Sequence, residues 1–86
     1  MTYALEIKPS AERDIRRLDG AAQARVEPAL QSLAANPRPA QSKKLQGGHG
    51  YRLRVGDYRV LYTVDDGIRI IAVYRVGHRR DVYRDL

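Results

Sequence analysis

Hydrophobic and polar positions alternate at the start of the chain. Over residues 2–8, Tyr3, Leu5 and Ile7 fall on one side, which predicts a β-strand. The period then lengthens. Ala11, Ile15 and Leu18 lie four and three residues apart, the spacing of a short amphipathic helix reaching about Leu18. Pro9 suits its first turn, Glu12 and Asp14 suit the positive end of its dipole, and Asp19-Gly20 reads as its terminator. A second helix is expected over residues 21–35, with Ala22, Val26, Leu30 and Leu33 on its apolar stripe. Pro28 lies inside it. An interior proline costs about 3 kcal/mol, so a kink or break is expected near residues 25–27. Asn36-Pro37-Arg38-Pro39 ends the helical region.

Alternation returns in the second half. Residues 40–50 read as a loop with Lys43, Lys44 and the run Gly47-Gly48-His49-Gly50, and strands follow over 51–55, 58–64 and 68–76. Gly56-Asp57 reads as a two-residue type II′ turn, because glycine leads it. That turn pairs Val55 with Tyr58, Arg54 with Arg59, Leu53 with Val60 and Arg52 with Leu61. One face then carries Tyr51, Leu53, Val55, Tyr58, Val60 and Tyr62, and the other carries Arg52, Arg54 and Arg59. Asp65-Asp66-Gly67 reads as a three-residue hairpin loop, with Gly67 in the left-handed position. It pairs Val64 with Ile68, Tyr62 with Ile70 and Val60 with Ala72. Even-numbered side chains would then form the main apolar face under the helices. Arg59, Leu61, Arg69, Ile71, Val73 and Arg75 would form a mixed, partly open face. The order β-αα-βββ predicts one compact α+β domain over residues 1–86.

Composition narrows the chemistry. The absence of cysteine excludes disulfides, thiolate metal sites and cysteine nucleophiles. No signal peptide is read at the start, and the longest apolar run is broken by Arg69 and Arg75, so a cytoplasmic protein is expected. Net charge is +6, and it is uneven. Residues 1–42 hold six Lys/Arg against five Asp/Glu, while residues 43–86 hold ten against five. The second half is therefore the expected polyanion-binding half.

Like charges directly opposite in a sheet destabilise it. A bound anion would compensate Arg54 against Arg59, and a guanidinium fork matches phosphate oxygens. Arg59 taken alone reads as a solvated strand arginine or as a partner for Asp57. Arg79 and Arg80 read as a basic tail, or as cations delivered to the basic face by the turn at Gly77. Tyr83 reads as a packing aromatic, or as a phenol that nearby positive charge makes a better proton acceptor for a ribose 2′-hydroxyl. His49 and His78 have no carboxylate cluster, and no metal or other cofactor is expected. Ser10, Ser32 and Ser42 lack a nucleophile motif, and Asp65, Asp66, Asp81 and Asp85 read as turn or solvated residues.

Leu45-x-Gly47, the stretch Tyr51 to Tyr62, and Val76-Gly77-His78-Arg79 before Val82-Tyr83 together resemble the RelE branch of the RelE/ParE toxin superfamily. The resemblance implies the toxin of a type II toxin–antitoxin pair, a ribosome-dependent, metal-free endoribonuclease that cuts mRNA in the A site. The 2′-hydroxyl attacks the adjacent phosphate, leaving a 2′,3′-cyclic phosphate and a 5′-hydroxyl. Arg59 matches the arginine that stabilises the pentacovalent phosphate. Arg79 matches a second active-site arginine, and Tyr83 the C-terminal tyrosine that orients or activates the nucleophile. Arg52 and Arg54 match basic positions that are lysines in the best-known members. Lys43, Lys44 and Arg80 join them as phosphate-binding candidates. Arginine stays protonated, which moves the base role toward Tyr83. The implied partners are the ribosome with its mRNA and a small, acidic, partly disordered antitoxin. A non-enzymatic ParE-like toxin acting on DNA gyrase, and a noncatalytic basic RNA- or antitoxin-binding domain, stay open.

Overall fold

The computed structural model describes residues 2–84; Asp85, read above as a turn or solvated residue, lies outside them. The elements are β1 (Ala4–Ile7), α1 (Pro9–Arg17), α2 (Gly20–Ala35), β2 (Ser42–Lys44), β3 (Tyr51–Val55), β4 (Tyr58–Asp65) and β5 (Ile70–His78), with a 3₁₀ turn at Gln46–Gly48. The five strands form one mixed sheet in the order β1-β5-β4-β3-β2. β1 runs parallel to β5, and the other pairs are antiparallel. The α+β class and the β-αα-βββ order are as expected, with β2 added.

The core lies between the helices and one face of the sheet. Ala11, Val26, Leu30 and Leu33 meet Leu53, Val60, Tyr62, Ile71, Val73 and Val76, all buried, and Tyr3, Leu5 and Ile7 pack at its margin. Tyr62 is fully enclosed, and its hydroxyl donates to the Pro37 carbonyl at 2.7 Å, so the buried phenol keeps a partner. Burial pushes its pKa up.

Several local expectations are corrected. Asp19 does not close α1 with Gly20; its carboxylate accepts the Ala22 N–H at 2.8 Å and caps α2, which Gly20 begins. α2 runs unbroken through Pro28. The carbonyl that Pro28 leaves without a donor belongs to Ala24, which is exposed, so water can take the place of the lost bond. The segment read as loop contains β2, with Ser42, Lys43 and Lys44 opposite Leu53, Arg52 and Tyr51. Nothing intrinsic to Ser-Lys-Lys favours a strand; the edge of β3 imposes it.

The largest correction concerns β4 and β5. The turn spans 66–69, and Arg69 rather than Gly67 takes the left-handed conformation, at φ 56°. Asp65 opposes Ile70, Val64 opposes Ile71 and Tyr62 opposes Val73. Tyr74 is then the extra residue of a bulge, after which Leu61 opposes Arg75 and Val60 opposes Val76. The bulge moves the core side of β5 from odd to even positions. Ile71 and Val73 are therefore fully buried, not part of an open face.

α1 closes the edge of β5 beyond the end of β1. Lys8 N–H donates to the Val73 carbonyl at 2.8 Å, and Ser10 Oγ donates to the Tyr74 carbonyl at 2.6 Å. Asp14 Oδ2 then accepts from Val76 N–H at 2.9 Å and from Arg75 Nε at 3.1 Å. Helix side chains thus replace a neighbouring strand and protect the edge. Among the described residues, no helix is long and apolar enough to cross a membrane.

Candidate active site

The β3–β4 hairpin has the register that its turn dictates. Val55 pairs with Tyr58, Arg54 with Arg59, Leu53 with Val60 and Arg52 with Leu61. Gly56 sits at φ 58°, which an L side chain would resist, while Asp57 keeps a negative φ, as a type II′ turn requires. Leu53 and Val60 point into the core, so Arg52, Arg54 and Arg59 share the opposite face. Lys43 pairs with Arg52 and extends that face to β2. Lys44 pairs with Tyr51 and lies on the helix side, apart from the arginines.

Gly77 pairs with Arg59, so its missing side chain would stand on the arginine face. Val82 fills that space: a Cβ at Gly77 would meet Val82 Cβ at 3.7 Å. The chain therefore reverses after β5 and folds back beside Arg59, with Val82 buried. The reversal is anchored from below, because Arg79 N–H donates to the Asp57 carbonyl of the hairpin turn at 2.8 Å. Arg79, Arg80 and Tyr83 are exposed on this segment, Tyr83 at 39%.

Tyr74 was not singled out in the sequence, because an even-numbered residue on a regular strand would face the core. The bulge frees it. Its hydroxyl donates to the His49 carbonyl at 2.6 Å and ties the glycine-rich loop to β5. Burial, and then the neighbouring Tyr83, push its pKa up. Tyr83 is therefore a neighbour of Tyr74. No local sequence signal marks a bulge; only a hairpin register that leaves Val73 buried would have found it.

Most cations on this face lack an acidic partner among the described residues. Among the described residues, carboxylates pair with Lys8, Arg16, Arg38, Arg75 and Arg84. None pairs with Lys43, Arg52, Arg54, Arg59, Arg79 or Arg80. Arg59 Nη1 donates to two carbonyls, Gly56 at 2.8 Å and Tyr58 at 2.9 Å, which orients the guanidinium without neutralising it. The arrangement is a cationic platform, suited to a phosphodiester that gains negative charge as it reacts.

A small mixed sheet backed by two helices, with an arginine-rich open face, defines a compact class of α+β proteins. A family model described as "ParE toxin of type II toxin-antitoxin system, parDE" matches residues 5–83. The toxin RelG of Mycobacterium tuberculosis is 33% identical over 86 residues, spanning 98% of this chain and 99% of that protein. The toxin RelE of the same organism is 36% identical over 87 residues, spanning 95% and 87%. Among solved structures, the RelBE2 toxin–antitoxin complex of M. tuberculosis aligns with TM-score 0.79 and 30% identity over 92% of this chain and all of that one. The archaeal RelE–RelB complex of Pyrococcus horikoshii aligns with TM-score 0.80 and 28% identity over 95% of this chain and all of that one. The chain belongs to the RelE/ParE superfamily, as a RelE-like toxin of a type II toxin–antitoxin system.

Proposed function

We propose that the protein is a ribosome-dependent endoribonuclease that cuts mRNA in the A site without a metal. The observation that carries this reading is the face shared by Arg52, Arg54 and Arg59, without carboxylate partners among the described residues, on which Val82 of the C-terminal reversal packs over Gly77. The messenger's 2′-hydroxyl attacks the adjacent phosphorus. Tyr83, acting as its phenolate, takes the hydroxyl proton, the P–O5′ bond breaks, and the departing 5′-oxygen, facing Arg79, takes a proton from water to become the 5′-hydroxyl. Arg59, with Arg52 and Arg54, holds the phosphate oxygens as charge builds on them. One such preorganised donor is worth about 3–4 kcal/mol in a transition state. The ribosome supplies the alignment of the messenger, which is where much of the rate of an in-line attack originates.

Relatives are known as complexes with their antitoxins. The expected partner here is likewise a small, acidic, partly disordered antitoxin, which folds as it covers the cationic face. The site of action is the cytoplasm, where ribosomes translate. In a reconstituted translation reaction, primer extension should reveal A-site cuts with the wild type and none with Arg59→Ala. Intact mRNA throughout would sink the reading. The ParE description of the matching family favours a second one, a non-enzymatic inhibitor of DNA gyrase. Growth arrest with DNA damage and uncut messenger would establish it instead.

A further inference from the structure

His78 ends β5 opposite Tyr58. Alternation puts its ring on the face away from Arg59 and Gly77, where it meets the Tyr58 ring edge-on, centroids 5.8 Å apart at 78°. It therefore does not face the anion. Its polar atoms instead hold the chain reversal. Nδ1 accepts the Arg80 N–H at 3.2 Å, and the His78 carbonyl accepts from Asp81 N–H at 2.8 Å and Val82 N–H at 3.0 Å. A side-chain acceptor on the N–H two residues ahead is the geometry of an Asx-turn, ordinarily made by Asn or Asp. Histidine can make it only with Nδ1 unprotonated, so the hydrogen-bond pattern assigns the proton to Nε2.

The residues held this way are the ones that matter to the site. Arg79 lies between His78 and the clasped Arg80, and Val82, which packs over Gly77 on the arginine face, directly precedes Tyr83. Resting on the ribonuclease reading above, we propose that His78 is a positioning residue, whose imidazole clasps the Arg79–Arg80 turn from the far side of the sheet and thereby sets the reach of Arg79 and Tyr83. It touches neither substrate nor reacting atoms.

Two substitutions separate the clasp from the packing. His78→Phe keeps an aromatic edge against Tyr58 and loses the acceptor. His78→Asn loses the ring and keeps an acceptor for the Arg80 N–H. Cleavage by H78F at saturating ribosomes should fall by about 10- to 100-fold, the cost of misplacing a group by around an ångström, with little change in the ribosome concentration needed for half-maximal rate. H78N should stay within about three-fold of the wild type. H78A takes the place of H78F if the latter does not fold. Amide hydrogen exchange on the free toxin gives a readout independent of catalysis: protection at Arg80 should be lost in H78F and kept in H78N. Wild-type rate and protection in H78F, or equal impairment of H78N and H78F, would overturn the role of His78. A wild type that makes no cuts would instead bring down the ribonuclease reading, while the exchange experiment still decides the clasp.

Discussion

Two arginine-bearing regions of this small protein behave in opposite ways. At one end Arg38 places Nη2 2.8 Å from Asp66 Oδ2, Nη1 3.3 Å from Oδ1 and Nε 3.0 Å from the Tyr51 hydroxyl. Its guanidinium also lies over the Tyr51 ring at 5.2 Å. Tyr3 donates to the same carboxylate at 2.5 Å, and Arg69 stacks over Tyr3 at 5.8 Å. This knot fastens the segment after α2 to the sheet and is compensated internally. Arg52, Arg54 and Arg59 have no such partners among the described residues. Positive charge by itself therefore does not mark a site. What distinguishes the second region is cations held at fixed spacing on a hairpin without acidic partners among the described residues.

Arg59→Ala should give the largest effect. Cleavage should fall by about 100- to 1,000-fold, the usual cost of removing one charge-stabilising donor, with almost no loss of thermal stability. Arg38→Ala should do the reverse, lowering Tm by a few degrees and leaving the cutting rate alone, since an exposed ion pair contributes little energy and no chemistry here. A loss of activity in R38A equal to that in R59A would break the contrast. Asp14→Ala tests it from a third position. It strips the acceptor from Val76 N–H, which should cost about 1–3 kcal/mol of stability. It also releases Arg75, which opposes Leu61 on the cationic face. D14A should thus unfold earlier by thermal melt, yet bind single-stranded RNA more tightly, with a steeper dependence on salt concentration.

What the sequence disclosed tracks how local the governing interaction is. The β3–β4 pairing was legible residue by residue, because a two-residue turn with glycine first leaves one register, and that register collects Arg52, Arg54 and Arg59. The next hairpin was not. Its loop is one residue longer than Asp65-Asp66-Gly67 suggests, and Arg69 tolerates a left-handed conformation while its guanidinium stacks on Tyr3, a residue remote in sequence. The Tyr74 bulge, the parallel β1–β5 pairing and the β2 edge likewise depend on distant neighbours. So does the clasp at His78, which as a lone histidine beside a turn gave no sign of its acceptor role. Arg79, Arg80 and Tyr83 were singled out from the basic run after Gly77 and the tyrosine within it, with roles for Arg79 and Tyr83 supplied by resemblance, while the packing of Val82 over Gly77 had no local signal.

The smallest expected effect concerns the pH range of the compensated knot. Hydrogen bonds from Arg38 and then from Tyr3 hold the Asp66 pKa below its ordinary 3.8. A lowered carboxylate stabilises the fold fully above 3.8, and that contribution disappears as pH falls through the lowered native value. The hydrogen bond to Asp66 raises the Tyr3 pKa above 10, so its share is complete below 10 and is lost as pH rises through the raised value. Between those limits the wild type should melt slightly above Asp66→Asn. The two melting curves should converge in strong acid, where both side chains are neutral, and narrow again once the Tyr3 phenol ionises. Arg59 has no carboxylate partner among the described residues, so Arg59→Ala should show the same small Tm difference from wild type at pH 3 as at pH 7. A difference for R59A that vanished in acid along with that of D66N would reveal a hidden acidic partner and remove the distinction between the two regions.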